Sequence, residues 1–499
     1  MASINLFHEP SFPEKLSRIA SPTQISALLA AMLTFAVRFY PDESSVSGQQ
    51  ADANQRAARF LDLALKYIDE ALKECGDLTP PLCILQASII AAHFQLSQGV
   101  LGRAWRSLGT CVRLAYEMNL HLIDTRGPTN TTLVDREHWC DDEEKRRAWW
   151  AIWEMDVFAT TIRRTPPAVD WSQIETLLPV EDEYWFQRKL RPSCFLERDP
   201  ASRWKALQAS GNQSPKAWFV VINSLMKDAQ RISSPRGVPS LSPTNDSQPD
   251  RMNDARKRLE TIANAVKCFG MALPSHLRYH NQYLGFDARS PGQYRSLRQT
   301  HCSIYNIYMM TQLARLMIYR YDVFKGHFRV ALSMHDSSDP PTANYDRSHP
   351  EAKDETKSLA INQYFEAADD MLSIVHRSCD DHVRYINPFL SNTIWLASAV
   401  HLMRSQFCRS EINKSVVKSR FEVMHLTFKK CVDFFNMHSI VQQNLGMLEE
   451  QLEACQRPDR NQENDAMCHH QELNGTRPGS PAIHGCSSHG ACVDNGKNN

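Results

Sequence analysis

The stretch of sequence that decides the fold lies at residues 143–150 and reads EEKRRAWW. It leads into apolar residues that recur every three or four positions, a spacing that only a helix brings onto one face. These are Ala148, Ile152, Met155, Ala159 and Ile162. Within the stretch, Glu143 can pair with Arg147 one turn later, and the acidic residues 141–144 suit a helix N-terminus. Taken alone, the pattern is typical of an ordinary capped core helix.

Two helices with the same rhythm are predicted upstream. For the first, Thr79 is expected to cap the start, with Pro80 at the first helical position. Its predicted buried stripe is Leu82, Leu85, Ile89, Ala92 and Leu96, and that of the second helix is Ala104, Leu108, Cys111, Ala115 and Met118. Gly109 lies inside the second helix, where glycine costs about 1 kcal/mol relative to alanine. We therefore expect a close helix contact at Gly109.

Periodicity and composition divide the chain into five segments and predict an all-α protein in two packed helical parts. Residues 1–19 are predicted to be a flexible N-terminus. Residues 20–186 form the first helical part and residues 251–455 the second. Residues 187–250 are interpreted as a linker or surface loop, and residues 456–499 as a disordered tail.

Composition excludes several classes of protein. The chain has 56 basic and 56 acidic residues in 499, so no broad positive field is available to collect nucleic-acid phosphates. Its 14 cysteines include no CxxC pair, which indicates reduced thiols and no paired-thiolate zinc site. The longest apolar run, residues 25–37, is shorter than the roughly 20 residues that span a bilayer, and no signal peptide is legible. We expect a soluble protein with no membrane partner.

Short fragments on both sides of EEKRRAWW occur in a familiar order. Ala104-Trp105 precedes Gly109, Leu120-His121 ends a helix, and Asp156 follows Trp150 by six residues. Leu178-Pro179 comes next, and Asn387-Pro388-Phe389 lies before a late apolar helix. This order resembles the middle homology region of fungal binuclear zinc-cluster transcription factors, over roughly residues 20–450. The resemblance implies an all-helical region and a role in regulating transcription.

The resemblance also implies a signature of ten positions, with a structural role rather than a chemical one. These positions are Trp105, Gly109, His121, Glu143, Arg146, Arg147, Trp149, Trp150, Asp156 and Pro166. Two departures stand out. Arg164-Thr165-Pro166 replaces the usual Gly-Arg-Pro, and Asn119 replaces the glycine before Leu-His. Asparagine is the next-best residue at a left-handed helix end, so we expect the fold to tolerate that exchange.

The six-cysteine zinc cluster of such regulators is missing from this sequence. Cys486 and Cys492, with His484 and His489, are interpreted as a chance grouping, and zinc is expected only if a six-cysteine segment exists upstream. Two explanations stay open: a truncated gene product, or a regulator that reaches promoters through a DNA-binding partner. The basic runs 145–147 and 256–258 are predicted to be solvated helix faces rather than DNA contacts.

Enzyme interpretations find little support in the sequence. Asp141-Asp142-Glu143-Glu144 is similar to the magnesium motif of terpene cyclases, but Lys145 occupies the fifth position. A partner motif at Asn253-Asp254 carries Lys257 and Thr261 where a serine and a glutamate belong. The isolated histidines His93 and His401 are predicted to be satisfied core residues. We assign no catalytic, cofactor-binding or metal-binding residue.

The prediction is therefore a nuclear regulator of RNA polymerase II transcription, acting on metabolic or secondary-metabolite genes. The expected partner is promoter DNA, directly or through a DNA-binding protein. A homodimer, a co-regulator and a small-molecule effector stay open as further partners. The alternative is a ligand sensor or co-regulator that does not bind DNA, and a helical enzyme ranks third.

Overall fold

The computed structural model describes residues 4–39, 49–125, 133–234, 248–288, 296–333, 350–407 and 411–454. Within these ranges the regular secondary structure is helical, apart from an isolated bridge between Leu284 and Ser378. The all-α prediction is confirmed. Residues Met1–Leu448 form one compact unit. In the second unit, Glu449–Asn499, the structure describes only the end of a helix, and the predicted disordered tail lies outside the described residues.

Fifteen α-helices follow one another in the described part of the chain. They are α1 (Phe12–Ser17), α2 (Pro22–Ala36), α3 (Gln49–Cys75), α4 (Leu82–Gln98), α5 (Gly102–Glu117), α6 (Leu133–Arg163), α7 (Asp182–Phe186), α8 (Pro200–Ser210), α9 (Pro215–Ser233), α10 (Gln248–Ala272), α11 (Leu297–Ser333), α12 (Pro350–His376), α13 (Ser391–Phe407), α14 (Glu411–Phe435) and α15 (Ser439–Ala454).

Helix α4 is the central helix of the N-terminal half. It packs against α2, α3, α5 and α6, and its residues 84–97 are all buried. The sequence predicted an amphipathic helix here, but a helix surrounded by four others has no solvent face. The predicted Thr79 cap is also wrong, because α4 begins at Leu82 and Pro81 occupies the cap position without a side-chain hydrogen bond.

Residues 200–233, interpreted as part of a linker or surface loop, instead form helices α8 and α9. Asp199 caps α8 by accepting a hydrogen bond from the Ala201 N–H at 3.3 Å, with Pro200 at the first helical position. Helix α9 packs against α6, α10 and α11, and its residues 217–227 are all buried. The loop interpretation is wrong for these two helices. The polar stretches that motivated it are residues 233–237 and 240–249, and of these residues 235–237 and 240–247 lie outside the described part of the chain.

The N-terminal segment, predicted to be flexible, is held against the body from residue 4 onward. Leu6 is 2% exposed, and its carbonyl accepts a hydrogen bond from Gln86 Nε2 at 3.0 Å. His8 Nε2 lies 3.1 Å from the Trp185 carbonyl oxygen. Lys15 pairs with Asp141 at 2.7 Å and with the buried carboxylate of Glu144. The flexible interpretation is wrong here, because these buried polar groups take their partners from the segment.

Residues Pro22–Phe39, which include α2, are long and apolar enough to meet a length-and-composition criterion for a membrane span. Helix α2 packs against α3 and α4, and one of its faces lies in the core. That face consists of Ala27, Leu28, Ala30, Ala31, Thr34 and Phe35. Packing in the core accounts for the apolar residues on that face.

Replacing Gly109 with alanine is expected to raise the free energy of unfolding by about 1 kcal/mol. Gly109 lies in α5, and a Cβ built there meets no heavy atom within 4 Å. The predicted close helix contact is therefore wrong, and the alanine side chain has free space. Urea denaturation measures the change. The control is Gly211→Ala, at a backbone φ of +71°, which should destabilise by about 1 kcal/mol. A destabilised Gly109→Ala would contradict the prediction.

Candidate functional site

The signature residues lie mainly on helix α6, which begins at Leu133. Asp141 to Glu144 therefore lie more than two turns inside the helix, and the prediction that they mark its N-terminus is wrong. Their physical role is to pair with cations. Glu143 is fully buried and Glu144 is 4% exposed.

The predicted pair between Glu143 and Arg147 is confirmed, with Arg147 Nε donating to Glu143 Oε1 at 3.0 Å. Arg147 also donates to the Val180 carbonyl at 2.7 Å and to Asp182 Oδ1 at 2.6 Å. Its guanidinium lies 3.9 Å from the ring centroid of Trp185. Glu143 Oε1 accepts a second hydrogen bond from the Val180 N–H at 3.0 Å. Helix α6 thus holds the segment before α7 through one buried ion pair.

Burial and charge act in opposite directions on this pair. Burial raises the pKa of the Glu143 carboxyl, and the positive charges of Arg147 and Arg146 oppose that shift without cancelling it. Burial would lower the pKa of Arg147, but Asp182 and Glu143 outweigh burial and raise it. Removing either side chain would therefore leave the other as a buried charge without its counter-charge.

Arg146, also on α6, forms a second ion pair, which is bidentate. Its Nε and Nη2 donate to the two carboxylate oxygens of Asp124, at 2.9 and 2.5 Å. Asp124 in turn accepts from the Leu177 N–H at 2.9 Å. Because Arg146 and Arg147 are 6% and 5% exposed, the prediction of a solvated basic face is wrong for both. It holds for Lys145, whose side chain is 41% exposed and pairs with Asp142.

The basic run at residues 256–258 is exposed, which confirms the prediction of a solvated helix face there. Arg256 pairs with Asp322 at 2.7 Å, and Arg258 lies 3.9 Å from Asp254. These contacts join partly or fully exposed side chains, so they contribute little to stability.

Trp149 and Trp150 are both fully buried but face different neighbours. The ring of Trp149 lies 5.6 Å from that of Tyr116 and 6.0 Å from that of His121. Its Nε1 has no hydrogen-bond partner in the described part of the chain. Trp150 Nε1 donates to the Leu177 carbonyl at 2.8 Å. One tryptophan therefore fills space, while the other also holds the segment that Arg146 holds through Asp124.

Asp156 fixes the turn that follows α6. Its Oδ2 accepts from the backbone N–H groups of Ala168 and Val169, at 2.9 and 3.1 Å. Burial raises the pKa of Asp156, although these two hydrogen bonds oppose the shift. Pro166 is exposed within this turn.

The two departures from the family pattern both have left-handed backbones. Arg164 has a φ of +57°, and the Thr165 N–H bonds the Thr160 carbonyl at 3.2 Å, as in a Schellman helix end. Asn119 has a φ of +55°, as predicted for a residue that replaces glycine at a helix end. The backbone geometry that glycine usually provides is kept at both positions.

The remaining signature positions lie away from the charged pairs. Trp105 is half-buried on α5, with the Arg163 guanidinium 4.9 Å from its ring centroid, and Gly109 is exposed. In the part of the chain that the structure describes, no group of three His, Cys, Asp or Glu side chains could hold a metal ion. The grouping at residues 484–492 lies outside that part. The arrangement holds backbone segments together rather than presenting reactive groups.

Comparison with known proteins gives a family for the N-terminal part of the chain. Residues 2–221 match the family described as the fungal specific transcription factor domain. Residues 2–221 form a fungal transcription factor domain. The resemblance seen in the sequence is thereby confirmed over this range, and its extension beyond residue 221 stays a prediction.

Three relatives share parts of the chain. The tropolone cluster transcription factor tropK of Talaromyces stipitatus is 37% identical over 79 residues, which are 16% of this chain and 14% of that protein. Transcription factor tazR of Aspergillus terreus is 32% identical over 110 residues, 22% of this chain and 17% of the relative. The Zn(2)-C6 fungal-type transcription factor FTF1c of Fusarium oxysporum is 29% identical over 187 residues, which are 37% of this chain and 19% of that protein. The chain thus matches less than a fifth of the length of each. No solved structure gives a significant match.

Residues beyond the fungal transcription factor domain contact it through a link that the sequence did not predict. Glu154 on α6 is 4% exposed and pairs with Lys216, which lies within the domain. Its other carboxylate oxygen accepts from Asn387 Nδ2 at 2.6 Å. Phe389 stacks on Phe158 with ring centroids 4.0 Å apart and an interplanar angle of 6°. Asn387-Pro388-Phe389 is one of the fragments that carry the family resemblance in the sequence, but no local pattern indicates that it packs on α6.

His93 and His401 are buried core residues, as predicted, but the prediction that their ring nitrogens are satisfied is wrong for both. Among the residues that the structure describes, neither ring nitrogen of His93 or of His401 has a hydrogen-bond partner. His93 packs between Phe35 and Phe389, with ring centroids 5.6 and 4.6 Å away. Phe35 belongs to the fungal transcription factor domain, and Phe389 lies beyond it. His401 Nδ1 lies 3.9 Å from Asp369 Oδ1, too far for a hydrogen bond.

The stability of the chain is expected to fall in acid partly through His93. Burial lowers the pKa of His93 to about 3, from an ordinary value of 6.5, so between these values the unfolded chain binds the extra proton. The destabilising effect of neutral His93 is therefore absent above pH 6.5, and the free energy of unfolding decreases as the pH falls from 6.5 towards 3. The free energy of unfolding of the natural protein should fall between pH 7 and pH 5, and in His93→Leu that fall should be smaller by about 2 kcal/mol. Urea denaturation at the two pH values measures the difference. Equal losses would contradict the assignment.

Proposed function

We propose that this chain regulates transcription in the fungal nucleus, with its helical body as the regulatory region. The observation that carries the proposal is the fungal transcription factor domain at residues 2–221, whose signature charges hold backbone segments in place. The name of the relative tropK, a tropolone cluster transcription factor, supports secondary-metabolite genes as targets. We assign the chain no enzymatic activity.

The proposal places DNA contact outside the described helical body. Formal charge is balanced at 56 basic and 56 acidic residues. In the densest basic run, Arg146 and Arg147 are buried in ion pairs and cannot reach a phosphate. Either a further segment or a DNA-binding partner would contact promoter DNA. A co-regulator that never contacts DNA is the second candidate, favoured by the same burial.

The test is chromatin occupancy of the tagged full-length chain, paired with transcript profiling after its deletion. The proposal expects discrete promoter peaks upstream of genes whose transcripts change. A matched variant replaces Arg256, Lys257 and Arg258, the exposed basic run, with alanine, and should keep those peaks. Loss of the peaks in that variant would place DNA contact on α10. An expressed protein with no peaks and no transcript change would refute the proposal.

A co-regulator is distinguished by its dependence on another protein. It would co-purify with a DNA-binding factor and lose every promoter peak when that factor is deleted. Peaks that persist in the absence of each co-purifying factor would exclude this second candidate.

A further inference from the structure

A cavity of about 590 Å³ lies beside the C-terminal ends of α2 and α14. Its volume is within the range of small-molecule sites, roughly 300–1,000 Å³. The lining is mainly apolar and rich in aromatic rings, which suits a flat apolar ligand. The principal apolar walls are Phe35, Phe39, Ile90, Ile386, Phe434 and Phe435.

Arg38 lines this cavity and is 9% exposed. Its Nη2 donates to the Phe435 carbonyl at 3.2 Å, and its guanidinium lies 4.3 Å from the ring centroid of Phe94. Its Nε and Nη1 are buried and have no hydrogen-bond partner among the residues that the structure describes. Burial lowers the pKa of Arg38 to about 10, so the side chain remains charged at neutral pH. A buried arginine without a counter-anion is costly, and structures normally supply one.

The other charged residues at the cavity already have contacts of their own. Arg298 donates to the Phe286 carbonyl at 2.9 Å and lies over Tyr385. Arg384 is half exposed and lies 3.6 Å from Asp381. Glu9 is exposed and is engaged in a contact of its own. Among the residues described around the cavity, Arg38 is thus the buried cation that lacks a carboxylate.

We propose that this cavity binds a small organic monoanion, a carboxylate attached to a flat apolar body, with Arg38 as the residue that binds the carboxylate. The planar guanidinium fork matches a carboxylate, and its two unpartnered nitrogens are the donors such a group needs. Because the Arg38 guanidinium carries one positive charge, a ligand with one negative charge neutralises it. The binding itself does not depend on the proposed function, although a role as transcriptional effector would.

The test compares two matched probes by calorimetric titration of the purified full-length chain. Naphthalene-2-carboxylate carries the charge, and naphthalene-2-carboxamide has nearly the same shape without it. The carboxylate is expected to bind about tenfold to a hundredfold more tightly than the carboxamide, because the free energy of a hydrogen bond to a charged group corresponds to a ratio of dissociation constants in this range. Arg38→Met should abolish the preference. Arg38→Lys, which keeps the charge but not the fork, should retain part of it.

The control is Arg384→Met, which removes an exposed, ion-paired arginine from the same cavity and should keep the preference for the carboxylate. A thermal melt establishes that each variant folds, and Arg38→Met should melt no lower than the natural protein because it removes an unpaired buried charge. Equal affinity for both probes, or no binding at millimolar concentration, would overturn the proposal. So would loss of the preference in Arg384→Met.

The two proposals can fail separately. Absent promoter peaks would refute the transcriptional role and leave carboxylate binding unaffected. Failure of the titration would remove the ligand site and leave the transcriptional role in place. If a segment of this chain or an acidic peptide occupies the cavity instead, the carboxylate probe will not bind, and the proposal is wrong.

Discussion

Replacing Arg147 with methionine is expected to lower the free energy of unfolding by about 3–5 kcal/mol. Arg147 and Glu143 have side chains 5% and 0% exposed, so the loss leaves the Glu143 carboxylate buried without its main counter-charge. The Val180 carbonyl and Asp182 lose a donor in the same step. The cost is therefore that of an uncompensated buried charge rather than of one surface contact.

The control comes from the same basic run. Lys145→Met removes a lysine whose side chain is 41% exposed and which pairs with Asp142, and it should change stability by less than about 0.5 kcal/mol. The double variant Glu143→Leu with Arg147→Met should regain part of the loss, because it removes both charges together. Urea denaturation of the four proteins measures these values. If Arg147→Met loses no more than Lys145→Met, the buried pair is not a stabilising feature.

Local periodicity correctly predicted the helices around the signature. The stripes on α4, α5 and α6 are largely buried, and the pair from Glu143 to Arg147 forms as its spacing indicates. Asn119 adopts the left-handed backbone expected at a helix end. Each of these features is decided within one or two turns of chain, where residue type and spacing carry the information.

The sequence did not show which charges are buried. Arg146 and Arg147 lie in a run that is typical of a solvated helix face, and their partners Asp124 and Asp182 are more than twenty residues away. No local pattern links those positions. The same reason explains α9, whose burial depends on contacts with α6 and α11, and the cavity at Arg38, which is formed by segments more than 300 residues apart.

Replacing Trp149 with alanine should cost about 3–5 kcal/mol, the usual range for removing a large buried aromatic side chain. Trp149 is fully buried, and its ring contacts Tyr116 and His121, which belong to α5 and to the turn after it. Alanine would leave an empty space between α5 and α6 that these rigid elements cannot close. Thermal and urea denaturation both measure the loss, and an unchanged, well-folded Trp149→Ala would show that the ring is not part of the core.

The neighbouring tryptophan provides a sharper comparison. Trp149 Nε1 has no hydrogen-bond partner, so Trp149→Phe gives up ring volume alone. Trp150 Nε1 donates to the Leu177 carbonyl, so Trp150→Phe also leaves that carbonyl without its donor and should cost about 1 kcal/mol more. Because both rings are fully buried on the same helix, the difference between the two phenylalanine variants isolates the hydrogen bond. Equal losses would mean that α6 holds Leu177 through Arg146 and Asp124 rather than through Trp150.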